Sequence, residues 1–381
     1  SSIAWGTPPV EAQPSLLQMR GKGLSAGLGG YLSPWSILLI FVPIGIAAGM
    51  FKLSATTIFV TNFLGIIPLA LVLGTATEDV ALYTNETIGG LLNASFGNAV
   101  ELIISIQALR LGLNDLIKAT LIGSILSNLL LVMGCAFFFG GLVFQTQEVS
   151  RAIVSSTCSL LSISVFAFVV PSVFALAGGT HKQVDRVSLM ASIGLFSLYL
   201  MYLFYQLVTH KNLFEGAEDD EDEDEEVPNV PIAVAIFILI LSCGLVSWTS
   251  EYLVDSVEGF ANALGLPSFF VSVILLPIVG NAAEHFSAVT VAMKGKLDLS
   301  VGIAVGSSVQ IAAFVAPLMV IISWVFGFPH LDLDFHAFET VVLVMVLVII
   351  NIVLNDLKTD WLEGAVLLVA YVIVASAFFF Y

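Results

Sequence analysis

Two glutamates stand within apolar segments, and each follows an asparagine by three residues. Asn98 and Glu101 lie in GNAVELIISIQALRLG, while Asn281 and Glu284 lie in GNAAEHFSAVTVAMKG. An ionised carboxylate inside a membrane costs about 3 kcal/mol, so such residues indicate a functional site. Residues three apart share one face of a helix, so each pair is expected to present its oxygens together.

Glycine and proline beside these residues predict a break in each helix. Gly97 and Gly280 directly precede the asparagines, and Pro277 lies three residues before Gly280. Such residues free backbone carbonyls, which a membrane tolerates only where they line a cavity. Carboxylate, amide and carbonyl oxygens suit Ca²⁺ or Mn²⁺ rather than soft metals.

Further ligands are expected from the helix that follows each motif. Ser124 and Ser307 occupy equivalent positions, and Gln310 aligns with Ser127. Each could supply a hydroxyl or amide oxygen to a cation; the alternative is that these side chains only hydrogen-bond neighbouring helices. His285 has no polar counterpart in the first motif, which favours a packed or interfacial histidine over a proton relay.

The two motifs belong to an internal repeat. Residues 97–124 align without a gap on residues 280–307 at a constant offset of 183, and nine of the 28 positions are identical. Five predicted membrane crossings separate the copies, and an odd number of crossings reverses direction. The copies are therefore expected to run antiparallel, as in the inverted repeats of secondary transporters, whose substrate site lies where the two halves meet.

The composition predicts the elements that position this site. Of 381 residues, 58% are hydrophobic and 11% charged, against roughly 25% charged in a soluble domain. We predict an all-α integral membrane protein with about eleven transmembrane helices of roughly 20 residues, one extra N-terminal helix and two inverted five-helix repeats. The predicted units are a polar linker at 1–30, the first transmembrane helix at 31–54, the first repeat at 55–210, an acidic segment at 211–230 and the second repeat at 231–381.

The formal charge of −17 is mostly local, because residues 215–226 hold ten of the 29 acids. Blocks of like charge are usually solvated loops, but ten acids together would raise the local concentration of cations, and six predicted crossings place this block on the same side as the N-terminus. We therefore predict a low-affinity accessory cation-binding segment. Its acids are Glu215, Glu218, Asp219, Asp220, Glu221, Asp222, Glu223, Asp224, Glu225 and Glu226.

Several other classes of function are disfavoured. The chain has no basic stripe for a nucleic acid, and its three cysteines lack the CxxC spacing of a zinc site. A GxSxG match at residues 23–27 has no strand before it, and there is no P-loop or HExxH motif, so an esterase, an ATP-driven pump and a metalloprotease are not indicated. We expect no enzyme activity and no cofactor, and the sequence predicts no oligomeric state.

The duplicated motifs resemble the signature repeats of the calcium/cation exchanger superfamily, specifically its cation/proton exchanger family, which includes fungal vacuolar members. The resemblance covers residues 32–381, and the acidic segment between the sixth and seventh helices matches as well. It implies export of cytosolic Ca²⁺ into the vacuole in exchange for lumenal H⁺, with Glu101 and Glu284 as central ligands. It also implies a vacuolar membrane protein with a cytosolic N-terminus and acidic segment, an orientation that seven of the 12 basic residues on that side favour weakly.

A mechanism follows if both glutamates face one cavity. One divalent cation or two protons would neutralise the pair, so each occupant displaces the other, and only the neutral site crosses between the two facings. Two alternatives remain open: a sodium-coupled exchanger of the same superfamily, and a cation channel selecting ions with acidic side chains.

Overall fold

The computed structural model describes residues 24–31, 33–211 and 227–381. These residues are almost entirely helical. In chain order the helices are α1 (Leu24–Gly29), α2 (Phe41–Met50, after a 3₁₀ helix at Pro34–Ile40), α3 (Ala55–Leu82), α4 (Glu86–Phe96), α5 (Ala99–Arg110), α6 (Asn114–Leu126), α7 (Met133–Val143), α8 (Arg151–Leu176), α9 (His181–Phe204), α10 (Ile232–Leu264), α11 (Ser268–Gly280), α12 (Ala282–Ala292), α13 (Leu297–Gln310), α14 (Ala316–Val325), α15 (Ala337–Val353) and α16 (Trp361–Phe380).

The helices are long and apolar enough for a membrane. Seven continuous helices can cross a bilayer by length and composition, and two bent pairs, α4 with α5 and α11 with α12, bring the number to nine. Two shorter apolar helices end at Met50 and Val353. The predicted all-α membrane architecture is confirmed at this level, with one addition: β1 (Gln147–Glu148) and β2 (Lys358–Thr359) pair antiparallel as a two-stranded sheet.

The described elements repeat at the offset of 183. The second half of each bent pair starts at equivalent residues, Ala99 and Ala282, and α7 and α14 start at Met133 and Ala316. A π-helical turn precedes α7 at Ser127–Val132, and another precedes α14 at Ile311–Val315.

The turn after each motif is also duplicated in detail. Gly112 and Gly295 both adopt positive φ, 74° and 82°, a conformation that glycine enters without steric cost. Beyond them, the N–H of Leu113 bonds to the Ala108 carbonyl at 2.9 Å, and the N–H of Lys296 bonds to the Val291 carbonyl at 3.1 Å. The two equivalent glycines therefore end their helices in the same way.

The two ends of the bundle are distinguished by their loops. We call the end that carries β1 and β2 the strand end. Here Ser150 N donates to Asp298 Oδ1 at 2.5 Å, and the Tyr31 hydroxyl donates to Asp79 Oδ2 at 2.6 Å. Burial, reinforced by the hydrogen bond to Asp79, raises the pKa of Tyr31, so this hydroxyl stays a donor.

At the opposite end, residues 328–336 form a strap across several helices. Lys118 Nζ on α6 lies 2.5 Å from Asp332 Oδ1 of the strap. Three alternate strap residues are each 2% exposed, and each donates its backbone N–H to a serine of a different helix. The pairs are Leu331 with Ser323, Leu333 with Ser188 and Phe335 with Ser172. The strap therefore ties α14, α9 and α8 together at what we call the strap end.

The helices after the two motifs form the centre. The most apolar stretch of Asn114–Val143 is 83% buried and that of Leu297–Val325 67%, against 22% for Trp361–Phe380. These two helices are therefore surrounded by the other helices of the protein. The acid-rich residues 215–226 and most of the N-terminal linker, including Gly23 of the GxSxG match, lie outside the described residues.

Candidate cation site

Both motif helices bend at their asparagines. The axis turns by 45° between α4 and α5 and by 58° between α11 and α12. Asn98 has φ −107° and ψ 30°, and Asn281 has φ −86° and ψ 17°, so both depart from helical geometry. Gly97 and Gly280 are the residues just before these bends. The half-helices α5 and α12 therefore begin inside the protein, where their first backbone N–H groups have no intrahelical acceptor.

The glutamates occupy the first turn of these half-helices. Glu101 is the third residue of α5 and Glu284 the third of α12, where the helix dipole favours negative charge. Asn98 and Asn281 hold the N-cap positions, yet neither side chain caps its helix. Both side chains extend instead to the opposite half of the molecule.

Asn98 is held by two side chains of the second half. Its Nδ2 donates to Gln310 Oε1 in a short hydrogen bond, and its Oδ1 accepts from Ser307 Oγ at 2.9 Å. Asn128 Nδ2 in turn donates to Ser307 Oγ at 3.0 Å. The sequence comparison missed Asn128 because the repeat pairs it with Ile311, which gives no polar signal.

Asn281, in the second half, contacts a residue of the first half. Its Nδ2 donates to the backbone carbonyl of Ser124 at 3.2 Å. Ser124 thus contacts Asn281 through its backbone carbonyl, whereas the sequence analysis expected its hydroxyl to be the functional group. Each motif asparagine contacts the helix that follows the other motif, so the site is shared between the two halves.

The two carboxylates are buried to different extents. Glu101 is 1% exposed, and Glu284 is half-buried. Glu101 packs against Gly280, where an added methyl carbon would lie 2.6 Å from Glu101 Oε1. Gly280 precedes Glu284 by four residues, so Glu101 lies beside the helix break that carries Glu284.

Several oxygens of the site have no partner. Within the described chain, neither carboxylate oxygen of Glu101 accepts a hydrogen bond, and neither does Glu284 Oε2. Three further buried oxygens are likewise unpaired: Ser124 Oγ, Asn128 Oδ1 and Asn281 Oδ1. Ser127, by contrast, meets the side chain of Tyr371. Burying such groups unpaired is costly, and hard oxygens are the ligands that Ca²⁺ takes. Their chemistry fits a cation, or protons, as the occupant.

His285 lies beside the site, bound to the helix break. Its Nδ1 is 2.7 Å from the Asn281 carbonyl. Because a carbonyl only accepts, Nδ1 carries the proton in this contact. This bond secures the bend and agrees with a packed histidine.

Access to the site is one-sided. Gly97 and Asn93 on α4 are exposed, whereas the equivalent Gly280 and Leu276 on α11 are buried. α4 leads from the site toward the strand end, and α11 leads toward the strap end. We infer from this difference that the site opens toward the strand end and is closed toward the strap.

The chain resembles proteins of known sequence and structure. The family described as sodium/calcium exchanger protein matches residues 54–208 and 234–380. The Ca²⁺/H⁺ antiporter of Aphanothece halophytica is 42% identical over 357 residues, which are 90% of this chain and 95% of that protein. The vacuolar calcium ion transporter of Schizosaccharomyces pombe is 37% identical over 374 residues, which are 97% of this chain and 89% of that protein. The solved structure of native YfkE has a TM-score of 0.79 and 38% identity, and the match covers 91% of this chain and 100% of that one.

Proposed function

Because the chain belongs to the sodium/calcium exchanger protein family, we propose that it is a secondary antiporter that exchanges Ca²⁺ for H⁺ across a membrane. One observation carries the proposal: Glu101 of one half lies against the second motif, which carries Glu284, and carboxylate oxygens of both residues have no hydrogen-bond partner among the described residues. One divalent cation or two protons can neutralise the two carboxylates equally well, so each occupant can replace the other.

The proton is proposed as the counter-ion because relatives at about 40% identity are named Ca²⁺/H⁺ antiporters. A sodium-coupled exchanger of the same superfamily is the second candidate, because the same oxygens could hold Na⁺.

A channel is disfavoured, since the site is closed toward the strap end. The ligand chemistry also suits Mn²⁺.

We propose eleven membrane crossings, one extra helix followed by two inverted five-helix repeats. The seven long helices, the two bent pairs and the two short helices together make this number. Counting crossings assigns the loops that carry β1 and β2 to one end, and these strands pair. It assigns Lys118 and Asp332 to the other end, where they form an ion pair.

Our proposal for alternating access rests on a difference in packing between two equivalent glycines, Gly123 and Gly306. A methyl carbon on Gly123 would lie 2.1 Å from the Val273 carbonyl oxygen, whereas one on Gly306 would meet no heavy atom of the described chain within 4 Å. The closed side is therefore built from α6 packed against α11. We propose that the opposite facing forms when α13 packs against α4 in the same way, with the roles of the repeats exchanged.

The open, strand end is proposed to face the cytosol. Tyr31 lies there, and so does Asn229, whose backbone N–H donates to Asp79 Oδ1 at 3.0 Å just after the acidic segment. With the vacuole as the compartment, as in the names of several relatives, a neutral cytosol loads Ca²⁺ and an acidic lumen replaces it with protons.

The function is tested with purified protein in sealed vesicles. An imposed inside-acid pH gradient should drive Ca²⁺ uptake without sodium on either side, and collapse of the gradient should stop it. Uptake that needs a sodium gradient instead would identify the sodium-coupled exchanger. Uptake that follows only the membrane potential would identify a channel.

Lowering pH on the cytosolic side should raise the apparent KM for Ca²⁺ while leaving the maximal rate almost unchanged. Protons and Ca²⁺ would bind the same two carboxylates, so saturating Ca²⁺ displaces the protons. Initial uptake rates measured over a range of Ca²⁺ concentrations at several external pH values provide the test. A pH effect confined to the maximal rate would indicate a separate proton path.

We propose that residues 215–226 form an accessory cation-binding segment at the cytosolic mouth. Replacing the ten acids by Gln or Asn should change the Ca²⁺ and salt dependence of uptake without abolishing it, because many weak carboxylate contacts concentrate cations but do not carry them across. Uptake curves at low and high salt provide the measurement. An unchanged profile would mean a solvated loop, and complete loss in a folded variant would make the segment part of the transport path.

A further inference from the structure

A second polar cavity lies between α8 and α15, away from the exchange site. Its volume is about 450 Å³, within the usual range of ligand pockets. It opens at the strand end, where α8 begins at Arg151 and α15 ends at Val353. Leu357, at its rim, adopts φ 61°, a conformation unusual for a side chain of this type.

Arg151 is the positive charge of this cavity. It is exposed and forms no ion pair within the described residues. The adjacent Lys358, by contrast, lies 3.0 Å from Glu148. No acidic side chain lines the cavity, so the guanidinium is available to a bound anion.

Neutral polar groups continue from Arg151 along the two helices, toward the middle of the membrane-spanning segments. Ser155 and Ser159 on α8, Asn351 on α15 and Asn355 in the turn after it all line the cavity and are all exposed. Ser159 follows Arg151 by eight residues, which places it about 12 Å further along the helix axis. The hydrogen-bond donors and acceptors of the cavity therefore reach further into the membrane-spanning segments than the charge of Arg151 does.

The surface around this cavity is apolar. Ile352 is 70% exposed, Phe166 60% and Ile163 41%, on the same two helices. Such residues face lipid in a membrane-spanning chain. A polar cavity within a lipid-facing surface needs a polar occupant, because hydrocarbon cannot satisfy its hydrogen bonds.

We propose that this cavity binds the headgroup of an anionic phospholipid. The phosphate would pair with Arg151, whose planar guanidinium suits phosphate oxygens. The ester and glycerol oxygens would lie against Ser155, Ser159 and Asn351, and the acyl chains would run over the apolar wall that includes Leu354. A free phosphate shares the first contact but gains nothing from the deeper groups or from the apolar wall.

The test compares three variants of the delipidated, detergent-purified protein. Binding of phosphatidylserine is titrated by native mass spectrometry. R151Q should weaken it about fivefold, the effect of removing one cation beside an anionic lipid. Ser159→Leu keeps the charge but fills the cavity, and it should weaken binding too. Lys294→Gln removes an exposed charge at the same end outside the cavity and should bind as wild type does.

Each other result overturns the proposal. Unchanged binding in R151Q would remove the phosphate contact, and loss in R151Q with unchanged binding in Ser159→Leu would mean general surface attraction. Thermal stabilisation by inorganic phosphate equal to that by phosphatidylserine would assign the cavity to a free anion. An oligomer that dissociates in both cavity variants would assign it to a second copy of the chain. Gel filtration of each variant verifies that it is folded.

Discussion

Replacing Glu101 or Glu284 with glutamine is expected to abolish exchange while the protein stays folded. Glutamine keeps the shape of the side chain but removes the charge that a cation and a proton must share. The remaining carboxylate cannot balance a divalent cation, and the site cannot alternate between two neutral occupants. Proton-driven Ca²⁺ uptake in vesicles should fall to the level of protein-free vesicles, and gel filtration should show an unaltered peak.

Glu258→Gln is the matched control for this prediction. Glu258 lies on α10, is exposed, and would undergo the same chemical change away from the site. Its variant should transport Ca²⁺ at the wild-type rate. Near wild-type transport in either E101Q or E284Q would exclude the two-carboxylate mechanism.

Gly123→Ala is expected to destabilise the protein strongly, whereas Gly306→Ala should be tolerated in this conformation. The added methyl at 123 would lie 2.1 Å from the Val273 carbonyl oxygen and 2.7 Å from Pro277 Cγ. A backbone oxygen cannot rotate away, so α6 and α11 would have to separate. Overpacking of this kind typically costs about 1–3 kcal/mol, and we expect at least the upper value because the contact is with backbone.

The two glycine variants control for each other, since the residues are equivalent in the repeat and undergo the same change. Thermal unfolding in detergent, followed by the loss of the monodisperse peak, measures the effect. A Tm of Gly123→Ala equal to that of the wild-type protein would contradict the close approach of α6 to α11. Equal destabilisation of both would mean that the two halves pack alike, contrary to the one-sided access.

The sequence carries strong signals for local features. Gly112 and Gly295 are identical in the sequence and make matching turns in the structure, because each residue's own conformational freedom determines the turn. The oxygen-rich motifs indicate hard-cation chemistry for the same reason, since ligand type is a property of the side chain. Asn128 was missed because its role depends on Ser307, 179 residues further along the chain.

The amino-acid sequence by itself determined the apolar helices, the duplicated motifs and the identity of the residues that hold the charge. It treats Glu101 and Glu284, Gly97 and Gly280, and Gly123 and Gly306 as equivalent pairs. Only the tertiary structure makes the members unequal, with Glu101 buried and Glu284 half-buried. The physical reason is that burial and close approach arise from contacts between distant helices. Because the site opens to one side, the helices of one half pack closely at the site while the equivalent helices of the other half stay apart.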